Sequence, residues 1–268
     1  MAGQASIGVI GGSGLYEFLS AADEVTVDTP FGPPSDRIVI GDVAGRPVAF
    51  LPRHGRDHQF PPHRIPYRAN LWALRSLGVR QVLAPSAVGS LTSSYGPGTL
   101  AIPDQVVDRT KSRAQTFYDE GAAVHVPFAD PYCPRGRATA IAAALASGWV
   151  PAESGTLVVI DGPRFSSRAE SQWYAAQGWT LIGMTGSPEA ALARELALCY
   201  TTIALVTDTD AGVEEGDGVT HAEVFRAFAE NVGRLRDLLM RTIGELPAKR
   251  DCPCPHALDG IRLPFPLP

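Results

Sequence analysis

The sequence lacks an excess of basic residues. Its 23 lysines and arginines stand against 28 aspartates and glutamates, the formal net charge is −5, and the basic residues are spread along the chain. Proteins that bind nucleic acid neutralise phosphates with clustered basic residues. The charge pattern therefore argues against a nucleic-acid partner.

Long apolar runs are also missing. No stretch approaches the roughly 20 residues that a transmembrane helix needs. The N-terminal segment MAGQASIGVIGGSG lacks the charged start and the long apolar stretch of a secretory signal peptide. We therefore expect a cytoplasmic protein with no membrane partner. With 268 residues, 45% of them hydrophobic, the chain is long enough to bury a sizeable core.

Cysteine is scarce, with four residues: Cys133, Cys199, Cys252 and Cys254. In a reducing compartment, scattered cysteines are usually free thiols. The spacing Cys252-x-Cys254, followed by His256, is compatible with a metal site. One such cluster, however, lacks the second pair of ligands that a zinc site usually has. We expect a structural or incidental role for the two tail cysteines. A second candidate metal site, formed by His54, His58 and His63, is disfavoured because a glycine and two prolines interrupt its spacing, so no metal ion is predicted.

Hydrophobic periodicity and turn residues predict a mixture of strands and helices. The strands are predicted at 5–10, 25–27, 37–40, 47–51, 81–88, 102–107, 156–160, 180–182 and 201–206. The helices are predicted at 66–77, 135–146, 167–177, 187–199 and from 220 onward. No repeat or low-complexity linker divides the chain. We therefore predict an α/β fold with one domain over 1–268, built on a mixed, twisted central sheet flanked by helices.

Two of the helices and the C-terminal tail carry distinct local signals. Ser187-Pro188 places an N-cap residue before a proline at the first helical position, and Thr220-x-x-Glu223 forms a capping box. The helix that starts at Thr220 carries an apolar stripe and is expected to pack against the core. The proline-rich tail, 247–268, is predicted to be irregular and to lie over the surface or a neighbouring subunit.

A glycine turn follows the first predicted strand. Gly11-Gly12-Ser13-Gly14 departs from the dinucleotide-binding fingerprint at its third glycine position, which disfavours a Rossmann oxidoreductase. The backbone N–H groups of the glycines and the Ser13 hydroxyl would suit a phosphate. A tight turn at a strand end is the simpler alternative for this segment taken alone.

Further polar residues follow other predicted strands. Arg53-His54 places a planar cation beside a titratable donor, which suits a phosphate or a carboxylate. Ser86 follows a buried strand, at the edge where α/β proteins bind ligands. Asp208 and Asp210 are two residues apart after an apolar strand, so a regular strand would project both to one face. A pair of solvated loop acids is the alternative for these two aspartates.

Taken together, these segments resemble the trimeric purine nucleoside phosphorylase family, and more closely its S-methyl-5′-thioadenosine phosphorylase branch. The matching segments are 10–15, 52–56, 162–171, 184–185, 188–189 and 207–210, together with the spacing of small and polar residues through 51–91. The chain departs from the pattern at Gly183, where the family usually has asparagine, and at Gly186. These departures bear on the choice of substrate rather than on the reaction.

The resemblance implies a set of site residues. Those that would bind phosphate are Ser13, Arg53, His54, Ser86, Ala87 and Thr185. Phe165 would stack on the purine, Met184 would lie under the ribose, and Asp210 would help to recognise the 6-amino group. Asp208 would be the catalytic residue and hydrogen-bond N7, and related enzymes for 6-oxopurines have asparagine at its position. His125 would be lent across a subunit boundary toward the 5′ group, so a homotrimer is expected, with a hexamer as the alternative.

The resemblance also implies a reaction. Inorganic phosphate, as co-substrate and without a cofactor, would cleave 5′-methylthioadenosine into adenine and 5-methylthioribose 1-phosphate, a step of purine and methionine salvage. Three alternatives stay open: a phosphorylase for inosine, guanosine or 5′-methylthioinosine; a paralogue for another 5′-modified adenosine; and a non-catalytic binder of purine or phosphate.

Overall fold

The computed structural model describes residues 5–12, 15, 19, 23–211 and 219–268. Within them, the strands are β1 (Ile7–Gly11), β2 (Asp23–Val25), β3 (Ile38–Val43), β4 (Arg46–Pro52), β5 (Gln81–Ser90), β6 (Leu100–Ala101), β7 (Gln105–Asp108), β8 (Thr156–Val159), β9 (Leu181–Gly183) and β10 (Cys199–Thr209). The helices are α1 (Tyr67–Ser76), α2 (Pro134–Ala146), α3 (Arg168–Ala176), α4 (Gly186–Glu195) and α5 (His221–Glu245). Among these helices, none is both long and apolar enough to cross a membrane.

The strands form one mixed sheet in the order β2-β3-β4-β1-β5-β9-β8-β7, and β10 pairs with both β5 and β6. Strand β5 organises the sheet, because it pairs with β1 through its first residues, with β9 through its last, and with β10 along its whole length. Strands β1, β4, β5 and β10 are parallel to one another. Their carboxyl ends therefore meet at one edge of the sheet, and the predicted α/β fold with a mixed central sheet is confirmed.

Helices cover both faces of the sheet. Because side chains alternate along a strand, Val82 and Ala84 of β5 join the cluster that contains α1 and α4, whereas Leu83 joins the cluster that contains α2 and α5. Trp72 of α1 and Leu239 of α5 are representative members of these two clusters. The resulting three layers fix the strand ends from which the functional site is built.

Two predicted boundaries are wrong, each for an identifiable reason. The helix predicted to reach Cys199 ends at Glu195, because Cys199 already pairs with Gln81 of β5 and begins β10. Ala197 makes the reversal between them with a φ of 50°. The strand predicted at 102–107 begins only at Gln105, as β7, and residues 102–104 form no strand. Pro103, which has no N–H to donate to a ladder, lies between β6 and β7.

The tail after α5 is irregular apart from a 3₁₀ turn at Cys254–His256. Its apolar residues Leu263, Phe265 and Leu267 pack against the core cluster that contains α1. The ring of Phe265 lies 5.7 Å from that of Trp72 and 5.2 Å from that of Tyr118, measured between centroids. The tail therefore lies over the surface of its own chain, which is the first of the two predicted placements.

Candidate active site

A cavity of about 360 Å³ opens at the carboxyl ends of β1, β4, β5 and β10. Its size falls within the range of small-molecule sites. Nine of the eleven predicted site residues line it: Arg53, His54, Ser86, Ala87, Phe165, Met184, Thr185, Asp208 and Asp210. Ser13 lies outside the described residues. His125 is exposed and is not among the residues that line the cavity of its own chain, so its role stays a prediction.

Arg53 supplies a buried positive charge at one end of the cavity. It follows β4, is 2% exposed, and donates from Nε and Nη2 to the two carboxylate oxygens of Glu189, at 2.8 and 3.0 Å. Its Nη1 donates to the carbonyl of Pro85 at 3.0 Å. Burial alone would lower the pKa of Arg53, but the Glu189 carboxylate outweighs it and raises that pKa. The guanidinium is thus held in a fixed position with further N–H groups left for a ligand.

Glu189 is a functional residue whose role the sequence did not reveal. It is 1% exposed and also accepts a hydrogen bond from the hydroxyl of Tyr200, at 2.7 Å. Three donors therefore fix its carboxylate, which in turn fixes Arg53. Glu189 lies within a segment that carries the family resemblance, but Arg53 is 136 residues away, so only the fold reveals the pair.

His54 is a buried neutral donor or acceptor beside Arg53. Burial lowers its pKa to about 4, and the positive charge of Arg53 acts in the same direction. Its Nδ1 lies 2.8 Å from the carbonyl oxygen of Phe60, and because a carbonyl can only accept, Nδ1 carries the proton. The Nε2 atom of the neutral ring is then an acceptor, which matches the O–H of a hydrogen phosphate ion.

Two further polar groups stand at this end of the cavity. Ser86 belongs to β5, and Thr185 is the residue that immediately precedes α4. Backbone N–H groups at the start of a helix and side-chain hydroxyls are both suited to an anion. The predicted phosphate residues in the described part of the chain therefore all line one cavity.

Asp208 stands at a bulge near the end of β10. The register between β10 and β5 shifts between Val206 and Asp208, so Thr207 and Asp208 both line the cavity although they are adjacent. Burial raises the pKa of Asp208 to about 6, and the nearby Asp210 carboxylate acts in the same direction. The hydroxyl of Thr207, 2.8 Å from Oδ2, opposes the shift. Asp208 is thus a carboxyl group able to exchange a proton near neutral pH.

Asp210 is held more tightly. It is 4% exposed, the hydroxyl of Ser171 in α3 lies 2.5 Å from its Oδ2, and its backbone N–H donates to the carbonyl of Ser90 at 2.9 Å. Burial raises the pKa of Asp210, and the Ser171 hydroxyl partly offsets that shift. The prediction that Asp208 and Asp210 face the same space is confirmed, although the strand between them is not regular.

The remaining wall of the cavity is mostly apolar, with His58, Ser166 and His221 as its polar members. Phe165 and Met184 line it as predicted, together with Val224, Phe225, Phe228 and Val232 of α5. The prediction that α5 packs against the core is confirmed, since Phe228 and Val232 contact the core cluster and the fully buried residues begin at Leu235. The first half of the helix has a second role that was not predicted, because it also lines the cavity. An amphipathic stripe has the same spacing whether it covers a core or a ligand cavity, so the sequence does not distinguish the two.

Gly183, where the family usually carries asparagine, has little free space around it. A Cβ atom at this position would lie 3.3 Å from Leu157 and 3.4 Å from Val88. Gly183 itself lines the cavity. A larger residue would therefore have to displace Leu157 or Val88, and recognition of a polar ligand falls to the remaining polar groups.

The four cysteines lie together outside this cavity. The Sγ atoms of Cys133, Cys199, Cys252 and Cys254 are within 4.8 Å of one another, and all four residues are buried. The argument that the tail cysteines lack a second ligand pair is therefore wrong. Cys133 and Cys199 supply that pair from positions 66 residues apart, a juxtaposition that their spacing does not indicate.

Comparisons with known proteins agree on one family. A family model described as "Phosphorylase superfamily" matches residues 6–244. A protein of Streptomyces coelicolor named purine nucleoside phosphorylase is 62% identical over 275 residues, with 99% of this chain and 98% of the relative covered. A protein of Mycobacterium tuberculosis named S-methyl-5′-thioadenosine phosphorylase is 56% identical over 264 residues, with 98% and 97% covered.

A solved structure extends the similarity to the fold. It is the crystal structure of a methylthioadenosine phosphorylase sourced from an antarctic soil metagenomic library. It superposes with a TM-score of 0.88 at 40% sequence identity, and the alignment covers 96% of this chain and 92% of the other.

Proposed function

The chain belongs to the phosphorylase superfamily, and from this premise we propose that it cleaves the N-glycosidic bond of 5′-methylthioadenosine with inorganic phosphate. The products are adenine and 5-methylthioribose 1-phosphate. The observation that carries the proposal is one cavity lined both by a fixed, buried arginine and by a carboxyl group of raised pKa.

The arginine end of the cavity supports phosphate binding. Arg53 supplies permanent charge, and Ser86 and Thr185 supply hydroxyl groups. Because Glu189 and Pro85 already hold Arg53 in place, little reorganisation is needed when phosphate arrives or reacts. Ser13 and Ala87 belong to the same proposed set through the family resemblance.

The carboxyl group supports departure of the base. A phosphate oxygen attacks C1′ as the C1′–N9 bond breaks, and the electron pair of that bond moves onto the purine. Protonated Asp208 then donates its proton to N7, so adenine leaves as a neutral molecule, and Asp208 recovers a proton from solvent. Burial of the carboxyl group makes this proton available near neutral pH.

The remaining groups support recognition of the nucleoside. Phe165 offers an aromatic face for the purine, Met184 an apolar contact for the ribose, and Asp210 an acceptor for the 6-amino group. Val224, Phe228 and Val232 of α5 offer apolar contacts that suit a 5′-methylthio group.

A second candidate is a phosphorylase for inosine or guanosine. It is favoured by the 62% identity to the Streptomyces coelicolor protein named purine nucleoside phosphorylase. The two candidates differ in the base and in the 5′ group. A carboxylate accepts a hydrogen bond from a 6-amino group and repels a 6-oxo group, which supports the first candidate.

The experiment is to incubate the protein with 5′-methylthioadenosine, adenosine and inosine, each with and without phosphate, and to follow the free base by chromatography. Phosphate-dependent release of adenine, fastest from 5′-methylthioadenosine, is the expected result. Hypoxanthine released from inosine alone would establish the second candidate, and no release of base from any nucleoside would leave a purine-binding protein.

The proposal also includes the oligomeric state of the protein, its location in the cell and its metabolic role. His125 is exposed on a segment between β7 and α2 that has no helix or strand, where it could reach a neighbouring chain. We take the active unit to be a homotrimer, with a hexamer as the alternative, that works in the cytoplasm in purine and methionine salvage. Phosphate is the co-substrate, and the reaction as written needs no cofactor.

A further inference from the structure

The four cysteines form one compact cluster. Every pair of Sγ atoms among Cys133, Cys199, Cys252 and Cys254 lies within 4.8 Å, and the pair Cys199 and Cys252 lies at 3.4 Å. All four are buried, and together they make a separate hydrophobic cluster. Four sulfur atoms this close to one another could all bind a single atom placed at their centre.

Three distant parts of the chain bring these residues together. Cys133 is the N-cap residue of α2, Cys199 is the first residue of β10, and the 3₁₀ turn at Cys254–His256 brings the tail pair against them. The backbone N–H of Cys133 donates to the carbonyl of Tyr200 at 2.8 Å, which fixes the first two cysteines relative to each other.

The tail is anchored beside the cluster by two further contacts. Arg135 of α2 donates to both carboxylate oxygens of Asp251, at 2.9 and 2.6 Å. Arg250 donates to the carbonyl of Ala197, just before β10, at 2.9 Å. These contacts hold the backbone on one side of Cys252 in place, so the position of the tail sulfur atoms does not depend on the cluster alone.

The dimensions of the cluster fit a tetrahedral metal ion. A zinc–sulfur distance of about 2.3 Å places the four sulfur atoms about 3.8 Å apart. The observed separations of up to 4.8 Å reach this geometry with side-chain shifts of about 1 Å or less. Four thiolates and no oxygen donor select a soft or borderline ion such as Zn²⁺ over Mg²⁺ or Ca²⁺. We propose that Cys133, Cys199, Cys252 and Cys254 bind one zinc ion as a structural tetrathiolate site.

The surroundings of the cluster favour thiolates. The backbone N–H of Gly136 donates to the Sγ of Cys133 at 3.3 Å, a contact of the kind that orients metal ligands. Cys133 is the N-cap residue of α2, so its sulfur lies at the positive end of the helix dipole. This position partly offsets the net negative charge of a zinc ion with four thiolates.

The geometry favours a shared ion over two disulfide bonds. A disulfide requires two sulfur atoms at about 2.05 Å and constrains only that pair. Here each cysteine is in reach of the other three. His256, which the sequence places beside the tail pair, is 70% exposed and pairs with Asp259 at 2.8 Å, so it is not a fifth ligand.

A bound ion would join α2, β10 and the tail at one point. The tail continues from this point to Phe265, which packs on Trp72 and Tyr118 of the core. None of the four cysteines is among the described residues that line the cavity. Loss of the ion should therefore loosen the tail and lower the melting temperature while base release continues at ordinary temperature.

The first test is the metal content of the full chain, purified with a reducing agent and without chelators. Elemental analysis should find about one zinc per chain. Replacement by Co²⁺ should give thiolate-to-cobalt charge-transfer bands and the intense visible bands of a tetrahedral site. The double variant C252S/C254S should lose both, whereas the control His256→Gln should keep them.

A second measurement covers the case in which the double variant fails to fold. Wild-type protein stripped of metal should melt at a lower temperature, and added zinc should restore the original value. A chain that binds neither zinc nor cobalt with its four thiols reduced would overturn the proposal. So would mass spectrometry that finds disulfide-linked pairs in the purified protein. Both readouts are independent of nucleoside cleavage, so they stand or fall separately from the proposed function.

Discussion

At the scale of single residues, Asp208 and Asp210 differ in what surrounds them. Asp210 is fixed by the Ser171 hydroxyl and by its own backbone hydrogen bond, whereas among the described residues the Asp208 side chain is bonded by the Thr207 hydroxyl of its own strand. A fixed carboxylate suits recognition, and a less constrained carboxyl group suits proton transfer. The division of roles between the two aspartates follows from these contacts.

We predict that Asp208 produces the pH dependence of the reaction. The protonated form donates to N7, so kcat/KM should fall as the pH rises through about 6, the raised pKa of this group. Asp208→Asn removes the titration because an amide keeps its N–H at every pH. This variant should lose activity on 5′-methylthioadenosine by about 100-fold or more.

The measurement is a pH profile of kcat/KM for wild type and Asp208→Asn in the same phosphate buffers, so that the titration of phosphate itself cancels. Asp237→Asn, an exposed acid on α5, is the matched control and should keep the wild-type profile. A limb near pH 6 that persists in Asp208→Asn would assign the titration to another group.

The buried pair of Arg53 and Glu189 gives a second prediction at this scale. Glu189→Gln keeps the shape of the side chain but leaves the charge of Arg53 uncompensated. The free energy of unfolding should therefore fall by about 3–5 kcal/mol. The KM for phosphate should rise about tenfold, because Arg53 is no longer held in place, while the KM for the nucleoside changes little. Thermal unfolding and initial rates at varied phosphate measure both effects.

The control is Glu245→Gln, which removes one partner of an exposed pair with Arg241 at 2.9 Å. Exposed pairs contribute about 0–1 kcal/mol, so stability and phosphate KM should stay near wild type. An equal effect of the two substitutions would mean that Glu189 does not act through Arg53.

At the scale of elements, α5 has two different halves. Residues of its first half line the cavity, and Leu235, Leu238 and Leu239 of its second half are buried in the core. Phe228→Ala should therefore reduce kcat/KM for 5′-methylthioadenosine about tenfold and change that for adenosine much less, because only the methylthio group loses an apolar contact.

Leu235→Ala is the matched control on the same helix. It removes a fully buried side chain and should lower stability by about 2–5 kcal/mol, with the ratio of the two kcat/KM values unchanged. Steady-state kinetics with both nucleosides and a denaturant titration separate the outcomes. A substrate ratio that Phe228→Ala leaves unchanged would exclude α5 from recognition of the 5′ group.

The same scale shows why part of the fold could be predicted. Helices α1, α2 and α3 have local caps, periodicity or glycine stops, and their bounds are within about one residue of the predicted ones. The start of β10 could not be found in this way, because Cys199 joins the strand through pairing with Gln81, which lies far away in sequence. Tertiary hydrogen bonding there overrides a local pattern that continues the helix.

The residues of the site also fall into those that local sequence predicts and those that depend on distant parts of the chain. Arg53, Asp208 and the residues around them could be predicted because each belongs to a continuous motif, at the end of a strand, that carries the family resemblance. Glu189 and the cysteine cluster could not be assigned roles, because their partners come from other parts of the chain. Contiguous motifs carry the chemistry that touches a ligand, whereas the groups that hold those motifs in place are dispersed.

At the scale of the whole molecule, the prediction concerns His125 and the number of chains that make one site. His125 is exposed in its own chain, whereas Asp208 lines the cavity. If a neighbouring chain lends His125, each site combines residues of two chains. His125→Ala and Asp208→Asn should then each be defective alone, and mixed trimers of the two variants should recover activity.

The recovery has a defined size. In every trimer that contains both variants, one of the three sites draws Asp208 from one variant and His125 from the other, and so contains both wild-type side chains. Coexpression with two affinity tags, followed by purification on both, yields such mixed trimers, and their rate at low 5′-methylthioadenosine should approach about a third of the wild-type rate. If His125 served its own chain, every site would carry one substitution and mixing would recover nothing. A chain with both substitutions, mixed with the His125→Ala chain, should give no recovery in either case, because no pairing of those chains supplies His125.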